Sequence, residues 1–347
     1  MGKNIVIFSD GTGQKGGVNS NTNVYKLFNM VEDRTPRQIV YYDPGLGSDR
    51  RKIAGNIFGS GFSKNILDCY RFIFENFESD DKIYLFGFSR GAATVRSLSG
   101  FIKLFGILPI SRPDIIKEAF NIYKISNEIR REDIAKQFVD KHHTMKAKIK
   151  FIGVFDTVSA LGLENRWIGL CGKFLTHKFH SLNLSESVEF ARHALSIDEG
   201  RKTFLPKIWE KLNDDQPKDR LKQVWFCGVH TDVGGGYEED ELSHFSLEWM
   251  IKEATSKGLI IYEKSPAYIK FIKAQRNIDG KMHNEQNGIL GILFRTAQRS
   301  WDEKKHGTLC IHESVLKRMN NHNNNSDPTY SSWVLEFKNK EIERMSD

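Results

Sequence analysis

Five short runs of β-branched and aromatic residues punctuate the chain, at 4–9, 38–42, 82–88, 148–155 and 223–229. They are almost continuously apolar rather than alternating, which is how strands covered on both faces of a parallel sheet read. Helical periodicity fills the intervals. It runs over 23–32, 63–77, 91–105 and a long charged amphipathic stretch, 114–140. Within 63–77, Ile66, Tyr70, Ile73, Phe74 and Phe77 fall on one helical face. Strands alternating with helices predict an α/β fold, with a mostly parallel central sheet flanked by helices.

The C-terminal third reads differently. Residues 245–254 and 267–274 look helical, and 320–327 (NNHNNNSD) is a polar loop. No linker demands a second independent domain. The expected organisation is one domain over 1–347, with its core at about 3–240 and a helical or irregular extension over 241–347. Two stretches read as lid material inserted into the core. They are 45–62, with glycines at 45, 47, 55, 59 and 61, and 157–200, between the fourth and fifth apolar runs.

The third run leads into Gly87-Phe88-Ser89-Arg90-Gly91, and a helical pattern leaves it. This is G-x-S-x-G in strand–turn–helix context, where a sharp turn lifts a serine above the sheet. The small residues at 87 and 91 let the two backbones approach. A helix N-terminus behind Ser89 favours an oxyanion, with the Arg90 amide as one donor. The alternative is a tight turn whose serine only caps the helix.

A serine hydroxyl needs a base, and the base needs an orienting carboxylate. In this fold the chain order is Ser, then Asp or Glu, then His, each after a strand. The fourth run ends at Asp156 and the fifth at His230, so both residues meet that order. Asp232, two residues on, is expected to give structural support rather than to orient the base. His193, with no strand before it, and His312, after a short apolar run, are the competing bases. Asp10-Gly11-Thr12-Gly13 follows the first run. Its Gly11 and Thr12 amides are candidates for the second oxyanion donor, with Asp10 in support, and an Asx-type turn is the alternative.

Gly11 to Gly16 also matches G-x-G-x-x-G, with Asp43 as a ribose ligand, and so raises a nucleotide-binding module. The context disfavours it. Residues 17–22 separate the loop from a helix, and Asp43 lies 27 residues past Gly16, beyond the usual spacing of about 20.

Composition narrows the partners. At 347 residues, 39% hydrophobic and 27% charged, the chain is neither disordered nor collagen-like. Phenylalanine leads the aromatics, 24 against 10 tyrosines and 6 tryptophans, which suits a deep core or an apolar cleft. The net charge of +7 is spread out, with no polybasic tract. No nucleic acid is expected, and peripheral contact with an anionic membrane surface is the partner that such a charge allows. Cys69, Cys171, Cys227 and Cys310 lack zinc spacing and read as reduced thiols. No metal or cofactor is called for. The N-terminus has no signal-peptide h-region, Val6 stands where myristoylation needs Ser or Thr, and no apolar run reaches about 18 residues. A cytoplasmic protein is expected, with signal-less secretion as the alternative.

Taken together, FSDGTG (8–13), YYDPGLG (41–47), FGFSRGA (86–92), GVFDTV (153–158), HALSIDE (193–199) with Arg201 and Phe204, and VHTDVGGGY (229–237) resemble the DUF2235 family. That family includes the catalytic domain of type VI secretion Tle1-like phospholipase effectors. The motifs run in order from about residue 3 to 240, and His312 to Arg318 with Tyr330 extends them weakly. The resemblance implies an α/β-hydrolase that cleaves ester bonds, with phospholipids as the known substrate class and Ser89, Asp156 and His230 as its triad. A soluble small-ester or thioester hydrolase is the second expectation. A regulatory or immunity partner protein is left unspecified.

Overall fold

A computed structural model of the chain describes residues 2–11, 16–17, 20–45, 57–158, 183–274, 276–285, 296–324 and 330–345. Its centre is an eight-stranded sheet in the order β2-β1-β3-β4-β5-β6-β7-β8. The strands are β1 Asn4–Ser9, β2 Gln38–Asp43, β3 Lys82–Phe88, β4 Ile149–Phe155, β5 Val188–Ser196, β6 Leu221–Phe226, β7 Leu309–His312 and β8 Lys340–Glu343. Every neighbouring pair is parallel. This is the α/β architecture that the apolar runs predict.

Helices cover both faces. On one side lie α2 (Ile57–Asn76), α3 (Arg90–Phe105), α4 (Ile115–Tyr123) and α5 (Glu128–His142). They bury Ile5, Ile7, Ile83, Leu85, Ile152 and Val154 against Tyr70, Phe101 and Phe105. On the other lie α1 (Asn23–Phe28), a short α6 (His230–Gly234), α7 (Glu241–Ser256) and α8 (Pro266–Lys273). There Val6, Phe8, Tyr84, Phe86 and Phe151 meet Phe245, Trp249 and Met250. Alternate residues of β1 and β3 thus enter opposite cores, which is why those strands read as continuously apolar. A third cluster, around Trp225, Trp301, Leu309, Ile311 and Val334, closes the β6–β7 side with α9 (Glu303–His306) and α10 (Glu313–Asn324).

Several expectations are corrected. The segment 157–200, read as lid, supplies β5, and His193 lies inside that strand. Its apolar run is broken by Arg192 and His193, both fully buried. Arg192 is neutralised by Glu253 at 2.5 Å and Asp219 at 2.7 Å, so a charge can stand inside a strand. The extension 241–347 is not only helical, because β7 and β8 add to the sheet. β8 (KEIE) has the charges of an edge strand. The long helix of 114–140 is two helices. Asn127 caps the second by accepting from the Arg130 amide at 2.9 Å. Of the lid over 45–62, residues from Ile57 onward belong to α2. The stretches 46–56 and 159–182 lie outside the described residues. No helix among those described is long and apolar enough to cross a membrane.

Candidate active site

The C-terminal ends of β3, β4 and β5 and the loop after β6 converge on one place. Between β3 and α3 the chain turns at Ser89, whose φ of 57° and ψ of −118° lie in a region that L-residues rarely occupy. The turn needs its glycines. A Cβ on Gly91 would sit 2.0 Å from the Ser9 carbonyl oxygen, and one on Gly87 would sit 2.6 Å from Ala92 Cα. Ser89 makes no side-chain capping bond to the helix it precedes. The reading of this serine as a mere cap is therefore set aside. Its amide donates to the Phe155 carbonyl at 3.1 Å, which ties the turn to the end of β4.

The next residue in β4's path, Asp156, is fully buried and also has positive φ, 39°. One carboxylate oxygen, Oδ2, lies 2.6 Å from His230 Nδ1. The other, Oδ1, accepts the Ser196 amide at 3.0 Å. Burial alone would raise this carboxyl. The charge and hydrogen bonds of Arg299, followed by those of His230, outweigh it and hold the group far below the ordinary carboxylate range. Asp156 is thus an anion that fixes one imidazole nitrogen.

His230 opens α6 rather than ending a strand: β6 stops at Phe226 and Gly228, at φ 102°, turns the chain. The imidazole lies between Phe88, 4.7 Å away in a tilted stack, and the edge-on ring of Phe204 at 4.9 Å. Phe88 neighbours Ser89, so this packing sets the histidine beside the elbow. Its Nε2 is buried and takes no hydrogen bond among the described residues. With Nδ1 committed to Asp156, Nε2 is the ring nitrogen left to accept a proton.

The remaining predicted residues sort by their contacts. The Arg90 amide stands at the first position of α3. Gly11 lies close by, since a Cβ there would be 3.5 Å from Ser89 Cβ. Its amide, however, donates to Asp10 Oδ1 at 2.7 Å, the Asx-like arrangement, so in this conformation it is not offered to an oxyanion. Thr12 and the rest of the 12–15 loop lie outside the described residues. Asp10 supports the site by accepting from Thr22 Oγ1 at 2.6 Å and the Tyr42 hydroxyl at 2.8 Å. Burial pushes it up to about 6. Asp232 turns away from His230. It accepts the Val229 amide at 3.0 Å and His283 Nδ1 at 2.7 Å, and so braces the loop that carries the histidine.

Neither rival base is placed for catalysis. His193 Nε2 accepts the Thr157 amide at 3.2 Å, and burial pushes the group down to about 3. His312 is held by Ser314 at 2.8 Å and stacks on Phe226. Burial pushes it down to about 4. Asp43, the ribose candidate, accepts from Ser9 Oγ at 2.8 Å and the Gly45 amide at 3.2 Å inside the strand ends. That commitment leaves the nucleotide reading without its acidic ligand.

Sequence reasoning missed two groups. Glu199 accepts the His230 amide at 3.3 Å and is clamped by Arg201 at 2.8 and 2.7 Å. Both stand within or just after the HALSIDE motif, which offered a signal without a role. Arg299 grips Asp156 from 143 residues further along the chain. Nothing in its local sequence distinguishes it from the other basic residues.

The chain is similar to several known proteins. The family described as "T6SS, Phospholipase effector Tle1-like, catalytic domain" matches residues 3–253. The chain belongs to that family. An uncharacterized protein of Saccharomyces cerevisiae, YEL023C, is 32% identical over 231 residues, covering 58% of this chain and 32% of the yeast protein. The chain therefore aligns with about a third of that relative's length. Two solved structures are more distant. An uncharacterized protein from Pseudomonas aeruginosa is 15% identical with a TM-score of 0.46, over 75% of this chain and 46% of that one. The Tle1 effector, solved bound to the VgrG spike of the type 6 secretion system, is 17% identical with a TM-score of 0.37. The match covers 69% of this chain and 52% of the effector.

Proposed function

We propose that this chain is a serine hydrolase that cleaves carboxylic esters, with lipid acyl esters as its substrates. The observation that carries the reading is the 2.6 Å contact of His230 with buried Asp156, beside a serine held at positive φ on a strand–helix elbow. Ser89 Oγ attacks the acyl carbonyl while His230 Nε2 takes its proton. Asp156 holds the imidazole in the tautomer with Nδ1 protonated and stabilises the imidazolium. The Arg90 amide and the positive end of α3 receive the oxyanion. The imidazolium then protonates the leaving alkoxide, which departs as the alcohol. Water, deprotonated by the same histidine, releases the acid and regenerates the serine.

Membership in a family described by phospholipase effectors supports the lipid substrate, as does the Phe-rich surround of His230. Two measurements test the proposal. A fluorophosphonate probe should add to Ser89 in the native chain and not in His230→Ala. Turnover of phospholipid in vesicles should exceed turnover of a water-soluble monomeric ester. Labelling of Ser89 with a preference for the soluble ester would replace the lipid assignment by a small-ester or thioester hydrolase. Absence of an adduct in folded protein would refute the serine-hydrolase assignment itself.

A further inference from the structure

Arg299 has a fully enclosed side chain. Its Nη1 donates to Asp156 Oδ1 at 2.6 Å and to the Ser196 carbonyl at 2.7 Å. Its Nη2 donates to Asp156 Oδ2 at 2.8 Å and to the Phe204 carbonyl at 2.7 Å. All four terminal N–H groups are thereby used, and Nε alone is buried without a partner among the described residues. With the Ser196 amide and His230 Nδ1, the Asp156 carboxylate receives four hydrogen bonds, close to its full capacity. Phe204, which Arg299 holds by its carbonyl, is also the ring packed edge-on against His230.

We infer that Arg299 is a positioning residue for ester hydrolysis: it fixes the rotamer in which Asp156 meets His230, and it tempers the negative charge that Asp156 presents to the imidazole. This rests on the serine-hydrolase reading above. A planar fork bonded to both carboxylate oxygens leaves the group no rotation, whereas a carboxylate held only by histidine could turn. The charges facing His230 come from several elements. They are Asp156 after β4, Glu199 after β5, Arg299, and Arg201 through its clamp on Glu199. Asp232, on the same short helix as His230, is engaged by His283 instead. Arg201 is shared between Glu199 at 2.7 Å and Glu285 at 3.4 Å, so among the described residues Arg299 is the guanidinium that offsets Asp156 itself. Removing Arg299 leaves an excess of negative charge beside the ring. That excess acts on any positive charge the ring acquires.

The test uses the full chain with Arg299→Gln and Arg299→Lys, each checked for folding by circular dichroism. The rate of fluorophosphonate addition to Ser89 is followed against pH. Arg299→Gln should slow addition on the order of 10²-fold at neutral pH. Its acid limb should move upward, because the charge opposing Asp156 is gone. Arg299→Lys keeps the charge and loses the fork, so it should be slowed while its acid limb stays near that of the native chain. Native rates and an unmoved limb in folded Arg299→Gln would overturn the inference. So would equal slowing in both variants with neither limb moved, or failure of both to fold, since either would make Arg299 structural only. If the native chain itself gives no Ser89 adduct, the serine-hydrolase reading falls, and this inference with it.

Discussion

Asp156 Oδ2 and His230 Nδ1 lie 2.6 Å apart although 74 residues separate them in sequence. Each is delivered by a different structural device. Asp156 is carried on the end of β4 by a backbone turn at positive φ, and its amide is anchored to the Ala194 carbonyl at 2.7 Å. His230 is carried on a one-turn helix, set by Gly228 and braced by Asp232. The contact couples three strands of the sheet, and the consequences of breaking it can be separated.

Ser89→Ala should lower ester turnover by a factor on the order of 10⁴ or more, through loss of the nucleophile. Its melting temperature should stay close to that of the native chain, because the hydroxyl makes no capping bond. Ser89→Gly should be equally inactive but more stable than Ser89→Ala by about 1 kcal/mol, since glycine relieves the strain at φ 57°. Chemical denaturation of the two variants measures the difference. Equal stabilities would show that the elbow stores no strain.

Asp156→Asn should damage both activity and stability. The amide cannot fix the histidine tautomer, and turnover should fall about 10⁴-fold. It also leaves the Arg299 guanidinium buried beside a neutral group, at a cost of about 3–5 kcal/mol. Because the native Asp156 carboxyl is held below its ordinary range, its stabilisation is complete at neutral pH and is lost as pH falls below about 4. A urea titration at pH 7 and at pH 3 should show the native–variant gap narrowing on acidification.

Asp10 has the opposite sign. Burial raises it to about 6, above the unfolded value of 3.8, so the folded state prefers the protonated form. Asp10 therefore leaves stability untouched below about pH 4, lowers it as pH rises toward 6, and leaves it flat above. The full effect is on the order of 3 kcal/mol. Asp10→Asn removes that slope. The stability of the native chain relative to this variant should fall between pH 4 and pH 7, and a gap that does not change with pH would contradict it.

Gly91→Ala tests the elbow's geometry without touching the chemistry. Its methyl would lie 2.0 Å from the Ser9 carbonyl oxygen and 2.6 Å from that of Asp10, both backbone atoms that cannot swing aside. Destabilisation of about 3 kcal/mol or more is expected. The expected observation is a lowered midpoint of unfolding or an insoluble product. A variant of native stability would show that α3 can move off β1.

Much of this was legible in the sequence. The runs at 4–9 and 82–88 give β1 and β3 residue for residue, because both faces of those strands are covered by apolar cores. The elbow was legible too, since a strand, a glycine-flanked serine and a helix are contiguous. β5 was not. Val188–Ser196 contains Arg192 and His193, whose polar atoms are satisfied by Glu253, Asp219, Gln223 and Thr157, residues brought from four other segments. β8, with its charged edge pattern, gave no apolar signal either.

The sequence by itself determined the α/β alternation, the central strands and the serine, because hydrophobic periodicity and turn chemistry act between residues close along the chain. Only the tertiary structure decided what surrounds that serine. It made Asp43 a strand-end acceptor, committed the Gly11 amide to Asp10, retired His193 and His312 to the core, and brought Arg299 onto Asp156. The physical reason is that a buried charge must find its counter-charge wherever the fold puts one. Partners chosen by adjacency in space leave no period in the sequence.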